Sequence, residues 1–265
     1  MNTWESEGIT SGSHGRRGVT MSKPKKKKNR QKQALKKQAK ARERRIRNLT
    51  LGTLVVLGLV VGLYFLTTSL SEQQATPVDH QVFAYEKQPV IGNPDAPVKI
   101  VEFGDYKCPV CKRFAEEIFP QLKRDFLDTE RVGLYFIDNP LLGEDSKTAS
   151  MAGEAVYRQK PEAFWSFYEA VYAHQGLETD QWATVPFLVE LAKKEVPDID
   201  HARLEKELKD QAHKQAVEED KKIAAKLGVD SVPALFINGK RVDQHVVFDY
   251  PALKKQIEEA LNESR

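Results

Sequence analysis

Cysteine is nearly absent from this chain: two residues in 265. That scarcity excludes a disulfide-dense scaffold and a four-cysteine zinc site. Acidic residues are scarce at one end. Residues 1–47 carry 16 Lys/Arg against three acids (Glu5, Glu7 and Glu43), a local charge of +13, and residues 48–265 carry 25 against 35, a charge of −10. A single folded body rarely divides its charge this way, so the two parts are expected to meet different surroundings. The basic end has no interleaved aromatics, which argues against nucleic acid and for attraction to an anionic membrane surface. Long apolar runs are also missing, with one exception. At 40% apolar content the chain is not wholly disordered.

The exception runs from Asn48 to Ser71, a stretch without a charged residue. Its core, Leu49 to Leu70, is long enough at about 1.5 Å per residue to span roughly 33 Å, the thickness of a bilayer's hydrocarbon core. A buried helix would carry a polar side, and this stretch has none. A cleaved leader would be followed by a small-x-small site, and TTSLSEQQA offers none; no cysteine stands nearby for lipidation. We therefore predict an uncleaved single-pass anchor at 48–71. Lys23–Arg47 holds 14 Lys/Arg and one acid, which places the N-terminus in the cytoplasm and the acidic body outside the cell membrane. Arg44–Arg45 is too short a match in so basic a tail to indicate twin-arginine export. Arg16–Arg17 is encodable as a ribosome-binding sequence three codons before Met21, which predicts translation from Met21 and residues 1–20 as an untranslated extension.

Residues 72–89 are polar, contain Pro77 and Pro89, and are expected to form a tether. A strand follows at Val98–Phe103, then a turn into Cys108-Pro109-Val110-Cys111, and then a helix whose Cys111, Phe114, Ile118, Leu122 and Phe126 form one apolar stripe, kinked at Pro120. A second strand is predicted at Arg131–Ile137. Helices are predicted at Ser146–Arg158, Pro161–Tyr172, Val185–Lys194 and Ile199–Leu227, the last with a solvated charged face. The aromatic face of Phe164, Trp165, Phe167, Tyr168, Val171 and Tyr172 is read as core in preference to a binding surface. Pro233–Ile237 is a strand, Asn238–Gly239 a hairpin turn with Arg241–Val242 opening the partner strand, and Pro251–Leu261 a closing helix. The order is β-α-β, a helical block, then β-β-α.

The cysteines stand two apart at a strand-to-helix turn. Unpaired N–H groups at a helix start favour a thiolate on Cys108, and such placement can lower a thiol pKa from about 8.5 into a range of roughly 3.5–7.5. Pro109 suits the first helical turn, where no N–H is needed. Half of a metal site and an inert structural disulfide are the alternatives. The first lacks a second cysteine pair or a close histidine pair, and the second closes too small a loop to remove much chain entropy. The six His and the remaining acids show no metal spacing, so no metal ligand is assigned, and a surface cation is left open. Glu102 interrupts an apolar strand. If buried, its pKa is raised and it suits proton exchange; if on the exposed strand face, it is a surface residue.

These segments, EFGDYKCPVC and GVDSVPALFINGK, resemble the thioredoxin superfamily, specifically the DsbA-like thiol-disulfide oxidoreductases. With the anchor, the chain resembles the membrane-bound Gram-positive BdbD type. The resemblance implies an α/β thioredoxin fold at 90–144 and 228–265 with an inserted helical domain at 145–227. It implies Cys108 as the attacking thiol, Cys111 as the resolving one, Pro233 as a cis-proline facing the pair, and Glu102 as the proton relay. Val232, Pro109 and Val110 would contact substrate. It further implies a monomer that acts on exported proteins with free thiols, is reoxidised by a quinone-linked membrane partner of DsbB type, and needs no cofactor beyond the dithiol/disulfide. Val110 stands where the best-known oxidases carry His; Lys107, Lys112 and Arg113 are expected to compensate in part. Two other readings stay open: a reductant for cytochrome maturation or spore-coat assembly, and a non-enzymatic anchored binding module.

Overall fold

The computed structural model describes residues 36, 37, 40, 42–45, 48–62 and 78–264. Most of the basic tail, the Met21 region, residues 63–71 of the predicted anchor and residues 72–77 of the predicted tether lie outside them. The chain divides into two units, Met1–Gln73 and Gln74–Arg265. In the first, helix α1 (Arg42–Gly62) is long and apolar enough to cross a membrane by length and composition, and none of its apolar window is buried within the protein.

The second unit is built on a five-stranded sheet: β1 (Val90–Gly92), β2 (Val98–Gly104), β3 (Val132–Asp138), β4 (Ala234–Ile237) and β5 (Lys240–Arg241), in the order β1-β3-β2-β4-β5. β2 and β3 pair in parallel, from Val98↔Val132 to Gly104↔Asp138, and the remaining pairings are antiparallel. Helices cover both faces, which is why β3 is buried along its whole length where a half-exposed strand would alternate. Side chains of β2 alternate between faces. Ile100 joins the large core that includes the helical block, whereas Val101 and Phe103 pack with Phe83, Phe236 and Ala224 on the other side. Asn238 (φ 46°) and Gly239 (φ 78°) both adopt the left-handed region, the signature of a two-residue hairpin turn. A side chain at 239 would also strike the Val78 carbonyl oxygen, 2.6 Å from where its Cβ would sit.

The helices are α2 (Pro109–Arg113), α3 (Phe119–Leu122), α4 (Glu144–Gln159), α5 (Phe164–Ala173), α6 (Val185–Glu195), α7 (His201–Lys209), α8 (Lys214–Lys226), α9 (Gln244–Val247) and α10 (Tyr250–Glu263). Wide π-type turns at Phe114–Ile118 and Lys123–Leu127 separate α2 from α3 and follow α3. The first lies just before Pro120, with the Phe119 N–H bonded to the Phe114 carbonyl five residues back, where the sequence predicts only a kink. The apolar stripe survives these turns: Cys111, Phe114, Ile118, Leu122 and Phe126 are all buried.

Three expectations need correction. The described part of the predicted tether, 78–89, belongs to the fold. Val78 donates its N–H to the Gly239 carbonyl, and Phe83 is fully buried with its ring 5.5 Å from Phe236. The pattern was unreadable because two short 3-10 turns carry no helical or strand period. The predicted helix at 199–227 is two helices, broken where Gln211 takes φ 51°. No glycine or proline marks this break; α7 packs on α4 and α6 while α8 packs on α4 and β3, and one straight helix could not serve both. The partner strand spans Lys240–Arg241, one residue earlier than expected; Val242 still donates to the Leu235 carbonyl before the chain turns into α9 at Gln244. The aromatic face of α5 is core, as expected: Phe164, Trp165, Phe167, Tyr168, Val171 and Tyr172 are all buried in the cluster that contains Cys111.

Candidate active site

The turn after β2 is shaped by Asp105, which is fully buried. One carboxylate oxygen accepts the Lys107 N–H at 2.8 Å and the Ser146 hydroxyl; the other accepts the N–H groups of Leu141 at 2.7 Å and Leu142 at 3.0 Å. The carboxylate therefore ties the turn to the start of the helical block. Cys108 follows as the extended residue that caps α2, with Pro109 in the first helical turn. Gln175, from the loop after α5, donates its side-chain amide to the carbonyls of Tyr106 (2.7 Å) and Cys108 (3.1 Å). A glutamine in a polar loop gave no sequence signal for this contact.

The two thiols are free and experience opposite environments. Cys108 is 7% exposed, and its pKa is lowered from 9.0 to about 7. The hydrogen bond from the Cys111 thiol is the main cause, helped by the backbone N–H groups of Cys111 and Val110; burial and the Asp105 charge oppose it. Cys111 is fully buried, and burial together with the bond to Cys108 pushes its pKa well above 9.0. Cys108 Sγ lies 3.5 Å from the Val232 carbonyl oxygen, and the Val232–Pro233 peptide is cis. Pro233 is buried behind that contact; Pro109 and Val110 are exposed beside it. The structure thus brings Cys108, Cys111, Val232, Pro233, Pro109 and Val110 to one place.

Glu102 reaches the same place from β2. It is fully buried, which excludes the exposed-face alternative. Its pKa is raised to about 8, first by burial and then by the charge of Cys108, against a lowering hydrogen bond from Tyr168. Tyr168 donates its hydroxyl to Glu102 Oε2 at 2.9 Å.

The expected cationic compensation around Cys108 is absent. Lys107 turns inward and pairs with Asp145 at 2.8 Å, with only 4% of its side chain exposed. Lys112 pairs with Glu116 at 3.6 Å and Arg113 with Glu117 at 2.8 Å. Each cation is held by its own acid, and the main causes that lower the Cys108 pKa are hydrogen bonds.

Residues 84–259 match the family described as thioredoxin. The chain is 35% identical over 212 residues to the probable disulfide bond formation protein D of Bacillus anthracis, covering 80% of this chain and 93% of that protein. The crystal structure of oxidised BdbD from Bacillus subtilis superposes with a TM-score of 0.64 at 35% identity, covering 67% of this chain and 94% of that one.

The chain belongs to the thioredoxin family, with BdbD among its relatives.

It is a protein thiol-disulfide oxidoreductase. The more distant Chlamydia trachomatis DsbA, 23% identical with a TM-score of 0.59, covers 71% of this chain and 96% of that one and shares the fold. This family membership sets aside the non-enzymatic binding module, and the buried α5 face leaves such a module no aromatic surface to present.

One cluster went unforeseen. Asp138 at the end of β3, Glu154 on α4 and Asp220 on α8 are buried, with carboxylate oxygens all within 4.8 Å of one another. Gln88 Nε2 bonds Asp220 at 2.9 Å, and Arg158 bonds Glu154 at 3.0 Å. Burial, first among the causes, raises all three carboxyls, Asp220 to about 7. This oxygen set suits a hard divalent cation. The sequence spacing gave no sign of this arrangement. Separations of 16 and 66 residues along the chain hid the set, and only the packing of three elements converges it.

Proposed function

We propose that this chain introduces disulfide bonds into exported proteins through the Cys108–Cys111 pair, held outside the cytoplasmic membrane by the helix that contains residues 48–62. The observation that carries the reading is the opposite treatment of two thiols one helical turn apart. Cys108, 7% exposed, is acidified; Cys111 is fully buried and made less acidic. That asymmetry suits a pair in which Cys108 meets substrate and Cys111 meets only Cys108.

In the proposed reaction a substrate thiolate attacks Cys108 Sγ of the oxidised pair. The Cys108–Cys111 bond breaks, a mixed disulfide forms, and Cys111 leaves as a thiolate that takes a proton from the Glu102 carboxyl. A second substrate thiolate then attacks the substrate sulfur, and Cys108 departs as its thiolate. The substrate has lost two electrons and the pair has gained them. A quinone-linked membrane partner of DsbB type removes those electrons, and no cofactor beyond the dithiol is required. Val232 offers its backbone, and Pro109 and Val110 their exposed side chains, to the substrate chain. The enzyme acts as a monomer on thiol-bearing exported proteins at the cell membrane and does not bind nucleic acid.

A second reading, the same fold run as a reductant, draws on Val110 and on the self-paired cations, both of which weaken thiolate stabilisation. The reduction potential separates the two.

The roles are tested by trapping. Cys111→Ala should accumulate reductant-sensitive covalent complexes with exported proteins, because no intramolecular thiol remains to resolve them. Cys108→Ala should accumulate few, since Cys111 is buried. Equal trapping by both variants, or none by either, would overturn the assignment.

A further inference from the structure

The acid that serves the dithiol is set in place by the helical block. Tyr168 on α5 and Glu102 on β2 are 66 residues apart in sequence and both fully buried, and the tyrosine hydroxyl donates to Glu102 Oε2 at 2.9 Å. Among the described residues, nothing donates a hydrogen bond to the buried Glu102 Oε1. Among the described residues, Tyr168 is therefore the one side chain that favours the carboxylate form of Glu102 by a hydrogen bond.

The other groups around the acid give it no such help. On the neighbouring strands its pairing partners are Phe136 and Leu235. From the active-site turn, Cys108 raises its pKa by charge, and Cys111 and Tyr106 interact with it electrostatically, as does Tyr172 from α5. Tyr106 and Tyr172 are buried, have pKa values pushed well above 10.0, and stay neutral; their hydroxyls have no hydrogen-bond partner among the described residues. The Tyr168 ring has no room to turn away. Its centroid lies 4.9 Å from Tyr172, 5.1 Å from Trp165, 5.3 Å from Phe136 and 5.6 Å from Phe119.

We propose that Tyr168 is a positioning residue of the exchange reaction: its hydroxyl holds the Glu102 carboxylate and sets the pH at which that acid takes the proton of Cys111. The proposal rests on the reading of Glu102 as proton relay. When Cys111 attacks a Cys108–substrate disulfide, its S–H proton passes to the Glu102 carboxylate. A Cys108–Cys111 bond forms, and the substrate sulfur leaves with the electron pair. Without the hydroxyl the buried carboxylate loses its one side-chain donor, and the acid holds its proton to higher pH. A hydrogen bond to a charged group corresponds to a shift of about one to two pH units. At pH values below the midpoint each unit leaves about tenfold less carboxylate to accept the proton.

The experiment uses the full chain in detergent. One arm titrates the Glu102 carboxyl by infrared spectroscopy, assigned with Glu102→Gln. The other follows release of glutathione from a Cys108 mixed disulfide as a function of pH. Tyr168→Phe keeps the ring. It should move both midpoints up by about one unit, slow release about tenfold at neutral pH, and recover the rate once pH passes the new midpoint. Substituting 3-fluorotyrosine at 168, a more acidic donor with the packing retained, should move both midpoints down, which keeps the proposal testable even where the Phe variant misfolds. An unmoved carboxyl titration in both variants, or a Tyr168→Phe rate loss equal at every pH, would overturn the proposal and leave Tyr168 as packing alone. Failure of the underlying relay has a different mark: Glu102→Gln would then release glutathione with the wild-type pH profile.

Discussion

The reduction potential of the Cys108–Cys111 couple should fall with two slopes as pH rises. Two-electron reduction of the disulfide takes up two protons while both thiols are neutral and one proton once Cys108 is ionised. A tenfold change in a two-electron equilibrium is about 30 mV, so the slope should be about 59 mV per pH unit below the Cys108 pKa and about 30 mV above it. With the Cys108 pKa lowered from 9.0 to about 7, the break should fall near neutrality. Cys111 is pushed well above 9.0 and adds no break in this range. Cys108 is depressed in the reduced fold, so its stabilisation is complete above the ordinary thiol pKa and lost as pH falls through about 7. Relative to an unshifted thiol the gain is about 0.4 kcal/mol at pH 7 and about 1.4 kcal/mol at pH 8, or about 9 and 30 mV. Ionisation of Glu102 near pH 8 opposes the thiolate and should round the upper limb. Equilibration with glutathione buffers from about pH 6 to about pH 9, with alkylation to count thiols, reads the slope directly; ultraviolet thiolate absorbance gives the same midpoint independently. A single slope near 59 mV across the whole range would refute the reasoning, because it would mean that the backbone N–H groups and the Cys111 thiol do not stabilise a thiolate on Cys108.

Asp145→Ala should cost about 3–5 kcal/mol in denaturant unfolding, because it strands the buried Lys107 ammonium. Replacing the pair together, by Lys107→Met with Asp145→Leu, should recover most of that loss, and a single-variant loss below about 1 kcal/mol would show that Lys107 escapes to solvent. Val110→His places an imidazole at a position 43% exposed within the active-site turn. Its protonated form should lower the Cys108 titration midpoint further and raise the potential; an unchanged midpoint would show that the ring stays in solvent away from the sulfur.

Sequence alone determined what local chemistry and short-range sterics control. The membrane-length run is visible because composition suffices, and the Cys108–Cys111 spacing because one helical turn fixes it. Asn238–Gly239 is legible because few residue pairs tolerate two left-handed conformations, and the apolar stripe from Cys111 to Phe126 because its spacing matches the helix. The tertiary structure decided whatever depends on which distant groups converge. Strand alternation left open whether Glu102 met solvent, and only the helices packed over both faces of the sheet buried it and brought Tyr168 to it. Lys107 reads as a cation beside a thiol, yet Asp145, 38 residues away, draws it inward. Asp138, Glu154 and Asp220 share no periodicity, and the split between α7 and α8 answers two different packing surfaces where no residue marks a stop. The pKa of each active-site group follows from burial and from partners supplied by other elements. For that reason the sequence named the reacting atoms, while the fold set their acidities.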